Sequence, residues 1–192
     1  MRIIAALAVA TAFAASYGCG GSPMGPSGAG GTLTLMLKDS PYSDAKSLVV
    51  TFSEVSVHLA GQADRAWTRL PFADGATSRT CDLKKLQTAQ DILGTGPLAA
   101  GHYTMVRLMV SSSALYFDNA TAGNACAASI VAPAGRSAAL EIASGEVKLN
   151  REFDIASTAT TILVDFDGDK SVHETGNGRF MMSPVIGVVS VH

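Results

Sequence analysis

The sequence predicts an all-β protein: an antiparallel β-sandwich of the immunoglobulin-like or prealbumin-like Greek-key kind, with at most one short helix. Segments in which apolar residues recur at every second position run through most of the chain, and turn-forming residues separate them. Only one segment has the spacing of a helix. No repeat of 20 to 50 residues is visible, which argues against a propeller or a solenoid.

The strand predictions follow the apolar residues along the chain. Leu33, Leu35 and Leu37 lie two positions apart and predict a first strand. In residues 47–59 the apolar positions change from even to odd numbers at Ser53–Glu54, and this change predicts a β-bulge or bend. Further strands are predicted at residues 67–70, 103–110, 146–155, 162–166 and 180–191.

One helix and one tight turn are predicted between the strands. The helix would cover residues 82–93, with Asp82 as its N-cap and Gly94 as its stop. The turn would lie at residues 175–178, because Asn177 and the glycines beside it tolerate the positive φ of a hairpin turn.

Two polar residues in the predicted strand 103–110 need partners. The hydroxyl of Tyr103 is expected to bond a nearby backbone group, as tyrosines at sandwich corners do. Arg107 interrupts an apolar stretch and is expected to pair with a carboxylate. The candidates are Asp39 and Asp165.

The N-terminus has the features of an export signal. Arg2 supplies a positive charge, and residues 3–15 are apolar but too short to span a bilayer comfortably. Ser16, Tyr17 and Gly18 lead to Cys19, which resembles the lipid-accepting cysteine of a bacterial lipoprotein, although Ser16 and Tyr17 depart from the usual residues at their positions. We therefore expect a signal peptide over residues 1–18, a lipidated Cys19 with a flexible Gly/Ser/Pro tether over 19–31, and one β-sandwich domain over 32–192. Cleavage after Ala12 or Ala14, which would release a soluble protein, is the alternative.

The number of cysteines bears on the same question. There are three, Cys19, Cys81 and Cys126, and an odd number in an exported protein leaves one thiol to explain. If Cys19 carries a lipid, Cys81 and Cys126 form an even pair that an oxidising compartment would join. Two separate buried thiols are the alternative, because the sequence does not show whether their Cα atoms come within about 7 Å.

The charge of the chain argues against nucleic acid as a partner. Lys and Arg number 14 and Asp and Glu number 16, so loss of Arg2 with the signal leaves 13 against 16, a formal balance of −3. A near-neutral domain lacks the basic surface that nucleic acids or anionic membranes attract. The membrane is therefore expected as a partner through the N-terminal lipid alone.

A group of acidic residues is a candidate metal site. Asp165, Asp167 and Asp169 alternate, and Glu174 follows, so carboxylate oxygens suited to Ca²⁺ could meet in one loop. The full calcium-loop pattern is incomplete. The alternative is a solvated strand end followed by an Asp-Gly turn, and no other cofactor is expected.

Three aromatic residues are candidate ligand-binding residues. Trp67, Tyr42 and Tyr116 could form a surface on which a sugar ring stacks. A single tryptophan in a chain with 6% aromatic residues is more commonly part of the core. The scattered histidines and serines show no spacing typical of a zinc site or a nucleophile elbow.

Three stretches of the sequence carry a family pattern. Residues 31–41 read Gly-Thr-Leu-Thr-Leu-Met-Leu-Lys-Asp-Ser-Pro, residues 100–108 contain Ala-Gly-His-Tyr and then Arg-Leu, and residues 165–186 contain Asp-Phe-Asp, Thr-Gly-Asn-Gly and Pro-Val-Ile. This pattern resembles an uncharacterised bacterial family, domain of unknown function 4382, over residues 31–189. The resemblance implies an exported, often lipid-anchored β-sandwich and supplies no catalytic residues.

These observations predict an exported, lipid-anchored protein of the cell envelope, on the outer membrane or the periplasmic face, that binds and does not catalyse. Its partner would be a glycan, a peptide or another envelope protein. A calcium-stabilised adhesion or carbohydrate-binding-like module is the first alternative. An enzyme whose site is assembled from distant loops is the second.

Overall fold

A computed structural model describes residues 29–40 and 42–192. These residues are mostly β-strand with very little helix, so the all-β prediction is confirmed. The predicted signal peptide 1–18, Cys19 and the tether up to residue 28 lie outside the described residues. No helix in the described part of the chain has the length and hydropathy needed to cross a bilayer.

The strands and helices follow one another along the chain with short connections. The first strands are β1 (Gly31–Ser40), β2 (Ser47–Leu59), β3 (Trp67–Leu70) and β4 (Arg79–Asp82). A 3-10 helix (Leu83–Leu86) precedes β5 (Asp91–Leu98), β6 (Gly101–Tyr116), β7 (Cys126–Ala127), β8 (Ser137–Ile142) and β9 (Glu146–Ile155). The last elements are β10 (Thr160–Asp167), α1 (Gly168–Ser171), β11 (Val172–Gly176), β12 (Arg179–Met182) and β13 (Ile186–Val191).

The described strands form two sheets that share one core. One sheet has four strands in the order β13-β10-β1-β5. The other has nine, in the order β11-β12-β8-β6-β2-β4-β7, with β3 paired to β2 and β9 paired to β6. Pairing is antiparallel except between β1 and β10 and between β8 and β12, so the sheets are mixed.

Apolar residues at alternate positions along the strands form the core. Leu35 of β1 and Val164 of β10 are fully buried on the inner face of the four-stranded sheet, and Val50 and Leu108 are fully buried in the other. The register of β2 against β6 shifts on both sides of Phe52, where the apolar face changes. The predicted irregularity of β2 is therefore confirmed.

The helix predicted at residues 82–93 is wrong over most of its length. Asp82 does cap a helix, since its Oδ1 atom accepts from the N–H of Lys84 over 3.2 Å, but this helix is a single 3-10 turn. From Asp91 the chain is β5, which pairs with β1, and Gly94 lies inside that strand. Pairing with β1 therefore overrides the weak helical spacing of this segment.

Tyr103 has the partner that the sequence predicts. Its hydroxyl donates to the carbonyl oxygen of Ala99 over 3.0 Å, and its ring stacks on Phe153 with centroids 5.3 Å apart. The side chain is almost completely buried. It thus fixes the turn between β5 and β6 to the core.

The disulfide predicted between Cys81 and Cys126 is present. It joins β4 to β7, and the two cysteines lie opposite each other in that strand pair. It closes a segment of 45 residues, which corresponds to about 4 kcal/mol on the chain-entropy model.

Beside the disulfide, the carboxylate of Asp82 is fully buried and accepts four hydrogen bonds. Oδ2 accepts from the hydroxyls of Ser47 at 2.6 Å and Thr121 at 2.5 Å. Oδ1 accepts from the backbone N–H groups of Leu48 and Lys84, each at 3.2 Å. One carboxylate therefore joins β2, β4, the 3-10 helix and the loop after β6.

Replacing Asp82 with asparagine should lower the free energy of unfolding by about 2–4 kcal/mol, because the amide leaves buried donors without an acceptor. Urea unfolding at one pH measures this difference. Asp64→Asn changes an exposed carboxylate and should stay within about 0.5 kcal/mol of the wild type. Equal stability of Asp82→Asn and the wild type would contradict the role given to Asp82.

Candidate functional site

A surface cavity lies where the segment after β1 meets the hairpin of β11 and β12. It has a volume of about 430 Å³. Three aromatic rings, one guanidinium group and two carboxylates line it. The lining residues are Tyr42, Asp44, Phe117, Arg136, Ser137, Ala138, Glu174, Gly178 and Phe180. We refer to it as the Tyr42 cavity.

The parallel pairing of β1 and β10 explains why these segments meet. Both strands end at the same edge of the sheet, so the chain after β1 and helix α1 after β10 leave it side by side. The backbone N–H of Ser43 donates to Oδ1 of Asp169 over 2.9 Å. On the other side, Nζ of Lys84 donates to the carbonyl oxygen of Tyr42 over 2.7 Å. These two bonds hold residues 42 and 43, which we call the Tyr42 segment, in place.

The opposite wall contains two phenylalanines and an arginine. The ring centroids of Phe117 and Phe180 are 5.6 Å apart. The guanidinium carbon of Arg136 lies 4.8 Å from the Phe117 centroid. The backbone N–H of Phe117 donates to the carbonyl oxygen of Arg136, which fixes the two residues relative to each other.

The predicted hairpin turn forms one edge of the cavity. Gly176, Asn177 and Gly178 have φ angles of 93°, 56° and 70°, in the left-handed region that glycine and asparagine tolerate. The turn joins β11 to β12 and brings Glu174 and Phe180 to the same cavity.

Three carboxylates lie near the hydroxyl of Tyr42. Burial raises the pKa of Tyr42 above its ordinary value, and the carboxylates of Asp44, Glu174 and Asp169 add to this effect. The Tyr42 side of the cavity is therefore acidic, whereas Arg136 makes the Phe117 side basic.

The four predicted metal ligands are directed to different partners. Asp165 and Asp167 each form an ion pair with a lysine, at 3.0 and 2.7 Å. Asp169 accepts the backbone bond described above, and Glu174 lines the Tyr42 cavity. In the part of the chain that the structure describes, no group of three or more His, Cys, Asp or Glu side chains is arranged to hold a metal. The geometry therefore lends the calcium hypothesis no support.

The three predicted aromatic ligand residues do not share one surface. Trp67 and Tyr116 lie opposite β2 residues that are eleven positions apart, which is about 36 Å along a strand. The guanidinium of Arg107 covers one face of Trp67, 4.4 Å from the ring centroid. Of the three, Tyr42 lines the cavity, and Tyr116 directly precedes Phe117.

The expectation that Arg107 pairs with Asp39 or Asp165 is wrong. Nη2 of Arg107 lies 2.5 Å from Oε1 of Glu54, and its Nε donates to the hydroxyl of Ser56 over 3.0 Å. Arg107 lies opposite Ser56 in the nine-stranded sheet, whereas both aspartates belong to the four-stranded sheet. The alternation within one strand does not show which sheet will supply the partner.

Asp39 is instead a buried carboxyl group at the end of β1. It is 3% exposed, and neither of its oxygens has a hydrogen-bond partner of good distance and angle among the described residues. Burial, and then the nearby carboxylates of Asp165 and Asp167, raise the pKa of Asp39 to about 8, although Lys84 and the nearby backbone of Gly168 act in the opposite direction. Asp39 is therefore mainly protonated at neutral pH.

The sequence gives no sign that Asp44, Phe117, Arg136 and Phe180 belong to one site. Each comes from a different segment, and no local pattern marks any of them as part of a cavity. The sequence predicts roles for Tyr42 and Glu174, but in two unrelated chemistries. The structure brings both into one site.

A family model described as a domain of unknown function (DUF4382) matches residues 30–184. The chain belongs to this family. The matched range covers β1 to β12 and contains every residue that lines the Tyr42 cavity, so the site is part of the DUF4382 domain itself. Comparisons with curated proteins and with solved structures gave no match.

The raised pKa of Asp39 predicts that this group lowers stability as the pH rises from about 4 to about 8. Below about pH 4 the carboxyl is protonated in the folded and the unfolded chain alike. Between these values the unfolded chain has lost the proton and the folded chain keeps it. The contribution to the free energy of unfolding therefore falls by up to about 1.4 kcal/mol per pH unit, and it is constant above about pH 8.

Asp39→Asn removes this titration, so the variant should gain stability relative to the wild type across the range. Urea unfolding at successive pH values measures the difference. Asp64→Asn, at an exposed aspartate, should run parallel to the wild type. A difference between Asp39→Asn and the wild type that does not change with pH would contradict a buried, protonated Asp39.

Proposed function

We propose that this DUF4382 protein is an exported, lipid-anchored protein of the cell envelope. Its domain is a non-catalytic binding module, and the Tyr42 cavity is its ligand site. The partner is a glycan, a peptide or another envelope protein.

The disulfide is the observation that carries the anchoring proposal. Cys81 and Cys126 bond to each other, and disulfides persist in oxidising compartments outside the cytosol. The bond uses both cysteines of the domain, so Cys19 is the one cysteine of the sequence that remains. It lies four residues after the end of the apolar N-terminal stretch, near the place where a lipoprotein signal has its lipid-accepting residue.

The composition of the Tyr42 cavity supports a binding role. Aromatic rings recognise ligands by stacking, and charged groups at the rim select by charge. Asp169 and Lys84 bond to the backbone of the Tyr42 segment, so the fold itself fixes this wall of the cavity. A site formed before the ligand arrives costs less to order on binding.

Cys19→Ser should move the protein from the membrane fraction to the soluble fraction of a bacterial host that processes lipoproteins. It should also abolish incorporation of a labelled fatty acid, because the serine hydroxyl does not replace the thiol as the lipid acceptor. Ser22→Ala, three residues further along, is the matched control and should remain in the membrane fraction.

Mass spectrometry of the mature N-terminus reads the same outcome directly. The proposal predicts a lipid-modified peptide that begins at Cys19. An unmodified chain that begins at Phe13 or Ala15, after cleavage at Ala12 or Ala14, would contradict the anchor.

A further inference from the structure

The walls of the Tyr42 cavity contain aromatic side chains from three separate segments. Tyr42 follows β1, Phe117 follows β6 and Phe180 belongs to β12. The face of an aromatic ring carries partial negative charge and attracts cations. Several rings around one cavity are the arrangement that recognises organic ammonium groups.

A cation of the chain already lies on one of these rings. Arg136 places its guanidinium 4.8 Å from the centroid of Phe117, although its side chain is 73% exposed. Asp118 lies beside Arg136 as well: Nε and Oδ1 are 3.9 Å apart, and Oδ2 accepts from the backbone N–H of Arg136 over 2.6 Å. The ring of Phe117 therefore already lies beside a positive charge.

Carboxylates complete the site on the opposite side. Asp44 and Glu174 both line the cavity and lie close enough to raise the pKa of the Tyr42 hydroxyl, after the larger effect of burial. Neither forms an ion pair within residues 29–40 and 42–192. An ammonium group in the cavity would meet aromatic rings and two carboxylates together.

We infer that the Tyr42 cavity binds a primary alkylammonium group, with the ammonium between Asp44 and Glu174 and its carbon stem against the rings of Tyr42 and Phe180. This inference rests on the proposed binding function and specifies the ligand class. The stem contributes apolar contact area while the charged end stays at the polar rim, as lysine side chains do at protein surfaces. A lysine of a peptide and an amino sugar both offer such a group.

Arg136 opposes the binding of a cationic ligand in the Tyr42 cavity. Its positive charge repels an incoming ammonium, and its guanidinium covers the face of Phe117. Removing this charge should therefore strengthen binding, whereas removing a charge from Glu174 should weaken it. Opposite effects of two substitutions are a stricter test than loss of binding alone.

The test is calorimetric titration of the purified full-length chain with three blocked amino acids. These are N-acetyl-lysine methylamide, its neutral counterpart N-acetyl-norleucine methylamide, and the anionic N-acetyl-aminoadipate methylamide. The lysine probe should bind with a dissociation constant of about a millimolar, as a small fragment does, and at least about fivefold more tightly than either counterpart. Glucosamine, titrated in parallel, shows whether an amino sugar or a lysine side chain fits better.

Four variants test whether the lysine probe binds in the Tyr42 cavity. Glu174→Gln should weaken binding of the lysine probe about fivefold, and Arg136→Gln should strengthen it about threefold. Glu152→Gln and Arg179→Gln are the matched controls, since these side chains are 76% and 71% exposed and lie outside the cavity lining. Both controls should bind like the wild type, and a thermal melt confirms that each variant is folded.

The outcomes separate this inference from the proposed function. If the norleucine probe binds as tightly as the lysine probe and Phe180→Leu weakens both, the cavity is a ligand site but not a cation site, and the inference is overturned. If no probe binds, the inference also fails, while fractionation and lipid labelling still decide the anchoring proposal. Equal effects of Arg136→Gln and Arg179→Gln would likewise contradict it.

Discussion

The parallel pairing of β1 with β10 determines where the candidate site forms. The first strand of the domain lies beside a strand more than 120 residues later, in continuous register from Leu33 with Thr160 to Ser40 with Asp167. Alternating apolar residues on the inner face hold this pair in the core, since a shift by one residue would expose them. Because the pair is parallel, the segments that follow both strands leave the same edge. An antiparallel pair would have sent them to opposite ends of the sheet.

A second set of contacts fixes the Tyr42 segment once it has left the sheet. Asp82 caps the 3-10 helix and ties it to β2, and this places Lys84 where its ammonium group reaches the carbonyl oxygen of Tyr42. The disulfide one residue before Asp82 joins the same region to β7. Buried carboxylates thus serve two roles here. Asp82 is fully hydrogen-bonded and holds segments together, whereas Asp39 lacks such partners and keeps its proton.

Local patterns in the sequence predicted what depends on neighbouring residues. The alternation of β1, the irregular β2, the Tyr103 contact and the turn at Asn177 all follow from residues close together in the chain, and the structure has each of them. Parallel and antiparallel strands share the same period of two, so the pairing of β1 with β10 could not be predicted. The partner of Arg107 and the walls of the Tyr42 cavity depend on which strands become neighbours, and this information is not local. The same holds for β5, whose pairing with β1 replaced the predicted helix.

In the proposed site, segments from opposite ends of the domain bind one organic cation together. Intermolecular nuclear Overhauser effects between the ε-methylene protons of the lysine probe and the aromatic protons of the protein test this arrangement. We expect contacts to Tyr42, which follows the first strand, and to Phe180, which lies in β12, at the same probe concentration. Contacts to Trp67, or to neither of these two rings, would contradict it.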